Sequence, residues 1–205
     1  MQTSLPIQGN PMSKLTPANL MTLEAYAKAR PDLRAQVIAH KKTRTVCLGD
    51  HLTLIFEDEL TMRYQVQEML RTERIFEEAG IQDEIDAYNP LIPDGSNLKA
   101  TLMIEYTDEQ ERRLMLARLK GVEDKIWVRA LGHDKVYAIA DEDLARENEE
   151  KTSAVHFLRF EFDPATIAAI KAGGAIGVGV DHVEYTAEIA TLAEPVRASL
   201  AHDLA

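Results

Sequence analysis

A single cysteine, Cys47, stands in the 205 residues, so an internal disulfide and a Cys-x-x-Cys metal site are both excluded. No apolar run approaches the roughly 18 residues that a membrane span needs. Basic residues are scarce beside acids: 23 Lys and Arg against 34 Asp and Glu give a net charge of −11. A field of that sign repels phosphate backbones and anionic headgroups, which argues against nucleic acid or a membrane as partner. None of the six histidines follows a glutamate at Glu-x-x-His spacing, and His-Glu-x-x-His is missing, which removes di-iron bundle and zincin chemistry. Residues Met1 to Ser13 lack the basic start, apolar stretch and cleavage site of an export signal, so the expected location is cytoplasmic. A chain this long buries about 70% of its unfolded surface, and no metal or cofactor is required for folding.

What is there divides into three stretches. Residues 1–13 read as a disordered tail, with Gly9-Asn10-Pro11 leaving Met12 as an alternative start to Met1. Residues 14–97 read as a helical region with one β-hairpin. Thr16-Pro17 opens a helix that Arg30-Pro31 ends, and a second helix follows from Pro31 to Lys41. Thr43 to Leu48 and His51 to Glu57 flank Gly49-Asp50 as a two-residue hairpin, pairing Cys47 with Leu52 and placing the thiol on the inner face beside Leu54 and Phe56. Met62, Val66, Met69, Leu70 and Phe76 then mark one helix from Glu59 to Ala79, stopped by Gly80. Glu73 lies in that apolar stripe and is expected to pair with Arg34 or Arg44, with a catalytic role as the rarer reading. Asn89 to Asn97 is rich in turn formers and reads as an ordered surface loop.

Residues 98–205 carry one pattern twice. Leu98 to Tyr106, Asp108 to Lys120, Lys125 to Leu131 and Lys135 to Ala140 read as strand, helix, strand, strand. His156 to Phe162, the helix after Asp163-Pro164, Ala175 to Val180 and Tyr185 to Leu192 repeat the order, with Gly121 and Gly173 as helix stops. The expected fold class is α+β: a helical N-terminal half packed on an antiparallel sheet built from two β-α-β-β units, in one compact domain. Exposed sheet edges would also suit a homodimer.

Several apparent motifs fail on context. Gly173 to Gly179 precedes a strand and lacks a following Lys-Ser/Thr, so it reads as close backbone packing and not a phosphate cradle. The acids Asp141, Glu142, Asp143, Glu147, Glu149 and Glu150 lack calcium-loop spacing and read as a solvated connector. Ser153 is not on a Gly-x-Ser-x-Gly elbow. Period-two alternation puts His156 on the core face with Leu158 and Phe160, and Arg159 and Glu161 on the other. A core imidazole among Leu and Phe is usually a hydrogen-bonded structural residue. If the two units pack side by side, His156 could meet Asp181 and His182, a set suited to zinc or iron.

The strings Phe56-Glu57-Asp58, Tyr88-Asn89-Pro90-Leu91-Ile92-Pro93-Asp94-Gly95, Lys151-Thr152-Ser153-Ala154-Val155-His156-Phe157-Leu158-Arg159-Phe160 and Gly179-Val180-Asp181-His182 resemble the bacterial domain-of-unknown-function family numbered 3501, from about Lys14 onward. Family members tend to be encoded beside rubrerythrin-like and iron–sulfur proteins, so the resemblance implies a link to redox or iron metabolism and a redox or iron protein as partner. It implies no catalytic residues. The leading reading is an accessory or binding protein that works through its surfaces. The alternative is a metal-dependent enzyme or metal-binding redox protein using His156, Asp181 and His182, with iron or zinc as cofactor and Arg159, Glu161 or Tyr185 as acid, base or anion clamp.

Overall fold

The structure, a computed structural model, describes residues 12–143, 146 and 150–205. The expected tail thus lies outside the described residues except for Met12 and Ser13, as do Glu147 and Glu149 of the acidic run. Among the described residues the chain forms six α-helices and two antiparallel sheets, the α+β class that the sequence predicts. None of these helices is long and apolar enough to cross a membrane.

Helix α1 (Leu23–Lys41) begins at Thr22, whose hydroxyl accepts the Ala25 N–H, while Thr16-Pro17 makes only the short 3₁₀ turn Pro17–Asn19. The expected break at Arg30-Pro31 is absent: Pro31 sits inside one continuous helix. Proline costs that helix one N–H donor, but the carbonyl it strands, on Ala27, belongs to an exposed residue and is open to water. Tyr26 and Val37, on either side of the proline, both bury.

Helix α2 (Glu59–Thr72) starts with Asp58 accepting the Thr61 N–H, and helix α3 (Glu78–Tyr88) follows it. The single helix expected through to Ala79 is thereby corrected. Arg74 turns left-handed at φ 56, and the Ile75 N–H reaches back 2.9 Å to the Leu70 carbonyl. This is a Schellman stop made without glycine. Gly80 then falls inside α3, and Phe76 is 70% exposed. The three helices bury Leu15, Met62, Val66, Leu70, Ile85 and Ile92 together.

The strands are β1 (Thr45–Leu48), β2 (Leu52–Glu57), β3 (Asn97–Ile104), β4 (Ile126–Ala130) and β5 (Val136–Tyr137). Then come β6 (Ile139–Ala140), β7 (Val155–Glu161), β8 (Ile176–His182) and β9 (Tyr185–Ile189). The first sheet runs β1-β2-β3-β7-β6 and the second β5-β4-β8-β9. Helices α4 (Glu109–Arg118) and α5 (Pro164–Lys171) connect strands of the two sheets, each capped by an aspartate, Asp108 or Asp163. Helix α6 (Glu194–Ala201) follows β9.

The two strand–helix–strand–strand stretches occupy matching places: β3 pairs with β7 in one sheet, and β4 with β8 in the other. The expected strand Lys135 to Ala140 splits at Ala138, so that β5 pairs with β4 and β6 with β7. Leu54, Leu98, Leu102 and Phe160 of the first sheet share a core with Val128, Ile176 and Val178 of the second.

The hairpin register also differs from expectation. Leu48 pairs with Leu52 and Cys47 with Thr53, so the loop is the three residues Gly49-Asp50-His51, with Gly49 at φ 66. One residue of slip reverses every side chain. Cys47 is therefore exposed on the outer face, not buried beside Leu54 and Phe56.

Candidate functional site

Strand β7 places His156 inward, fully buried, as alternation predicts. Its Nδ1 lies 2.6 Å from Asp141 Oδ2, and the other Asp141 oxygen accepts the Phe157 N–H at 3.0 Å. Asp141 follows β6 and adopts φ 49, a left-handed conformation that is costly for a residue other than glycine. That backbone delivers its carboxylate to the imidazole. Arg146 approaches the same carboxylate at 3.5 Å and lies over the Phe157 ring.

Nε2 faces three oxygens. Thr152 Oγ1 and the Ser153 carbonyl each lie at 3.0 Å, and Glu123 Oε2 at 3.8 Å. Thr152 Oγ1 also stands 3.4 Å from Glu123 Oε2. Glu123 comes from the 3₁₀ turn Glu123–Lys125 before β4, and the Thr152 N–H is held by the Leu116 carbonyl of α4. Three separate segments thus converge on one imidazole.

The other expected ligands go elsewhere. Asp181 and His182 are neighbours on β8 and point to opposite faces, as strand geometry requires. Asp181 is exposed and accepts from Lys135 Nζ at 2.7 Å and from the Tyr137 hydroxyl at 2.6 Å. Those bonds, the lysine's first, hold its carboxyl below the usual range. His182 is buried, with Nε2 3.0 Å from the Lys120 carbonyl and Nδ1 accepting the Glu184 N–H. The structure therefore does not bring His156 together with Asp181 and His182. Among the described residues, the group of three metal-ligand side chains is Glu123, Asp141 and His156. Sequence reading missed Glu123 and took Asp141 for part of a solvated run.

Arg159 grips Glu142 with two bonds, at 2.7 and 2.8 Å, and Glu161 with a third at 2.6 Å. The Arg159 bond holds Glu142 low. Burial pushes Glu161 up, but bonds from Ser96, Arg159 and Asn97 bring it below the usual carboxylate range. These charges are matched to one another. Tyr185 donates its hydroxyl to the Leu48 carbonyl at 2.7 Å and accepts the His51 N–H, latching β9 to the first hairpin. Glu73 is exposed at the end of α2, because the helix stops before it could enter the apolar stripe. Its expected partner Arg44 is buried against Asp203 and Asp58.

Among the described residues, much of the outer face of the first sheet is uncovered, with Arg146 lying over the Phe157 ring on one side. Thr45, Ile55, Thr101 and Phe157 form one row across β1, β2, β3 and β7, and Cys47, Thr53, Met103 and Val155 form the next. Ile55, Met103 and Phe157 are half-exposed, and Cys47, Val155 and Ile139 are exposed. The adjoining row is Glu57, Lys99, Arg159 and Ile139, and there Arg159 holds the exposed Glu142 and Glu161.

The fold is similar to the crystal structure of a novel protein of unknown function from Burkholderia pseudomallei K96243. The two are 57% identical, with a TM-score of 0.90, covering 94% of this chain and 100% of that one. Among curated proteins, none matches the chain. A family model matches residues 14–204, and the chain belongs to the family it describes, Protein of unknown function (DUF3501).

Proposed function

We infer that the chain is a binding protein that receives a protein partner on the outer face of its first sheet. The observation that carries this reading is the patch of Ile55, Met103, Val155 and Ile139, bordered by Phe157 under Arg146 and by the paired charges of Arg159, Glu142 and Glu161. An apolar centre inside a charged rim is the anatomy of an interface, and contiguous exposed apolar surface on a globular chain usually marks one. The net charge of −11 selects a partner whose own rim is basic.

Cys47, the one cysteine of the chain, lies within this patch and reports on it. In free protein a maleimide labels Cys47 rapidly. In complex with the partner captured from lysate of the native host, labelling slows at least tenfold, and raised salt restores it. Ile55→Glu with Met103→Glu abolishes both capture and protection while the fold, checked by circular dichroism, persists. A partner that binds the double variant equally, or leaves Cys47 open, overturns the reading.

A further inference from the structure

We propose that Lys99 forms an imine with a small uncharged aldehyde, held in the cavity between the 3₁₀ turn Asn89–Leu91 and strands β3 and β7, with Arg159 as its positioning residue. The cavity adjoins the uncovered sheet face, and its chemistry does not depend on a protein partner there.

Lys99 stands on the outer face of β3, opposite Glu57 of β2 on one side and Arg159 of β7 on the other. The charges around it have partners of their own. Arg159 holds Glu142 and Glu161, Lys14 donates to the carbonyls of Asn89 and Ile92 at 2.9 and 2.7 Å, and Asp143 meets Arg146 at 2.6 Å. Asp94 accepts from Ser96 and Asn97. Glu57 takes the Thr101 hydroxyl on Oε1 at 2.7 Å. Lys99 differs: among the described residues its ammonium makes no hydrogen bond or ion pair, not even with Glu57 directly across the strand pair.

A half-buried ammonium without an acceptor loses hydration and gains nothing in exchange, so its neutral form is favoured. Burial holds Lys99 below the ordinary lysine range, Arg159 and Lys14 lower it further, and Glu142 and Asp94 oppose them. A lysine desolvated beside a second cation keeps a free lone pair near neutral pH. That lone pair adds to a carbonyl carbon. The C–N bond forms as the C=O π pair moves to oxygen, and a proton passes from nitrogen to oxygen to give a carbinolamine. Its hydroxyl then leaves as water with the second amine proton, so that C=N replaces C=O. No oxidant, reductant or further reactant is consumed.

The cavity sets the class of aldehyde. Its volume is about 70 Å³, room for two or so water-sized groups at about 30 Å³ each. Pro90, Leu91 and Phe157 supply apolar wall, and Glu142 and Asp143 line it beside Arg159. Those acids and the net charge of −11 repel a carboxylate or phosphate on the ligand, and Arg159 already spends three N–H groups on carboxylates. An uncharged aldehyde of roughly two or three carbons fits what is left.

The test exposes the full-length protein to acetaldehyde and cyanoborohydride at pH 7, which reduces each imine to a stable ethyl amine, and locates the ethyl groups by peptide mass spectrometry. Lys99 is expected to react at least tenfold faster than the exposed Lys28 and Lys42. Benzaldehyde, too large for the cavity, should show no such preference. Competitive acetylation with acetic anhydride reads the free-amine fraction across pH 6 to 11. The Lys99 midpoint should lie below those of Lys28 and Lys42, and should rise towards them in Arg159→Met. Ethylation no faster than at Lys28 and Lys42 overturns the proposal, as does an equal preference for benzaldehyde, the mark of an open surface amine. A midpoint that Arg159→Met leaves in place overturns it too. Both aldehyde rates are read on the unaltered protein, so they decide even if the variant fails to fold.

Discussion

Arg44 keeps 1% of its surface in contact with water, and the way its guanidinium is used explains how the last residues of the chain are held. Nε donates to the Phe56 carbonyl at 2.8 Å, one terminal nitrogen to the Glu57 carbonyl and to Asp203, and the other to Ser199. Asp203 follows α6, so one side chain joins the start of β1 to the end of the chain. Removing one member of a buried pair typically costs 3–5 kcal/mol, because the other charge is left uncompensated. Arg44→Met is expected at the lower end, about 3 kcal/mol in urea unfolding, since burial pushes Asp203 up to about 7 and it can take up a proton instead. Arg44→Met with Asp203→Leu should be less destabilised than Arg44→Met alone; an additive loss would show that the pair is not the source. Gly179 presents a second residue-scale constraint. It faces Trp127 across β8 and β4, and an added Cβ would overlap the indole ring. Gly179→Ala should displace the ring and cost about 1–3 kcal/mol. Trp127 is the one tryptophan of the chain, so a red-shifted emission spectrum checks it directly.

At the scale of the element, stops were harder to read than stretches. The apolar stripe of α2 is legible as Met62, Val66 and Leu70, yet its end rests on Arg74 in a left-handed conformation where glycine is the ordinary choice. Nothing in the residue type announces that stop, and the nearest glycine, Gly80, belongs to the next helix. Arg74→Gly should relieve the backbone cost while loosening the unfolded chain, for a net gain of roughly 0.5–1 kcal/mol. An unchanged or lowered urea midpoint would mean that Arg74 contributes a contact that offsets its conformation. Pro31 misled in the opposite direction, since a proline whose stranded carbonyl faces water can be carried inside a helix packed on both sides of it. The first hairpin shows how little separates the two readings of a cysteine: a three-residue loop in place of two moved Cys47 from core to surface. His156, by contrast, was correctly turned inward by alternation alone. Its neighbours Glu123 and Asp141 were not legible, because a 3₁₀ turn and a two-residue strand carry no period from which a side chain's direction could be inferred.

Over the whole molecule, the repeated strand–helix–strand–strand order was legible because aspartate caps and glycine stops recur in both stretches, at Asp108 and Gly121 and again at Asp163 and Gly173. The division into two sheets was not, since it depends on Ala138, where the chain crosses from one sheet to the other within what reads as a single strand. The long-range ties that close this assembly carry a pH signature. Asp203 is raised from 3.8 to about 7, chiefly by burial, so between those values the folded chain holds a proton that the unfolded chain has released. Stability from this group is therefore fully present below about pH 4 and declines as pH rises towards 7. Glu68 acts oppositely. Bonds from Arg30, above all, and from Tyr26 lower it to about 2, so its contribution is present above the unfolded value of 4.5 and is lost as pH falls. The two windows barely overlap, and urea midpoints measured from pH 2 to 8 should pass through a maximum near pH 4 to 5. Asp203→Asn should flatten the decline on the neutral side and leave the acid limb unchanged, whereas Glu68→Gln should soften the acid limb alone. If Asp203→Asn leaves the neutral slope as it was, Asp203 is ionised throughout and Arg44 outweighs its burial.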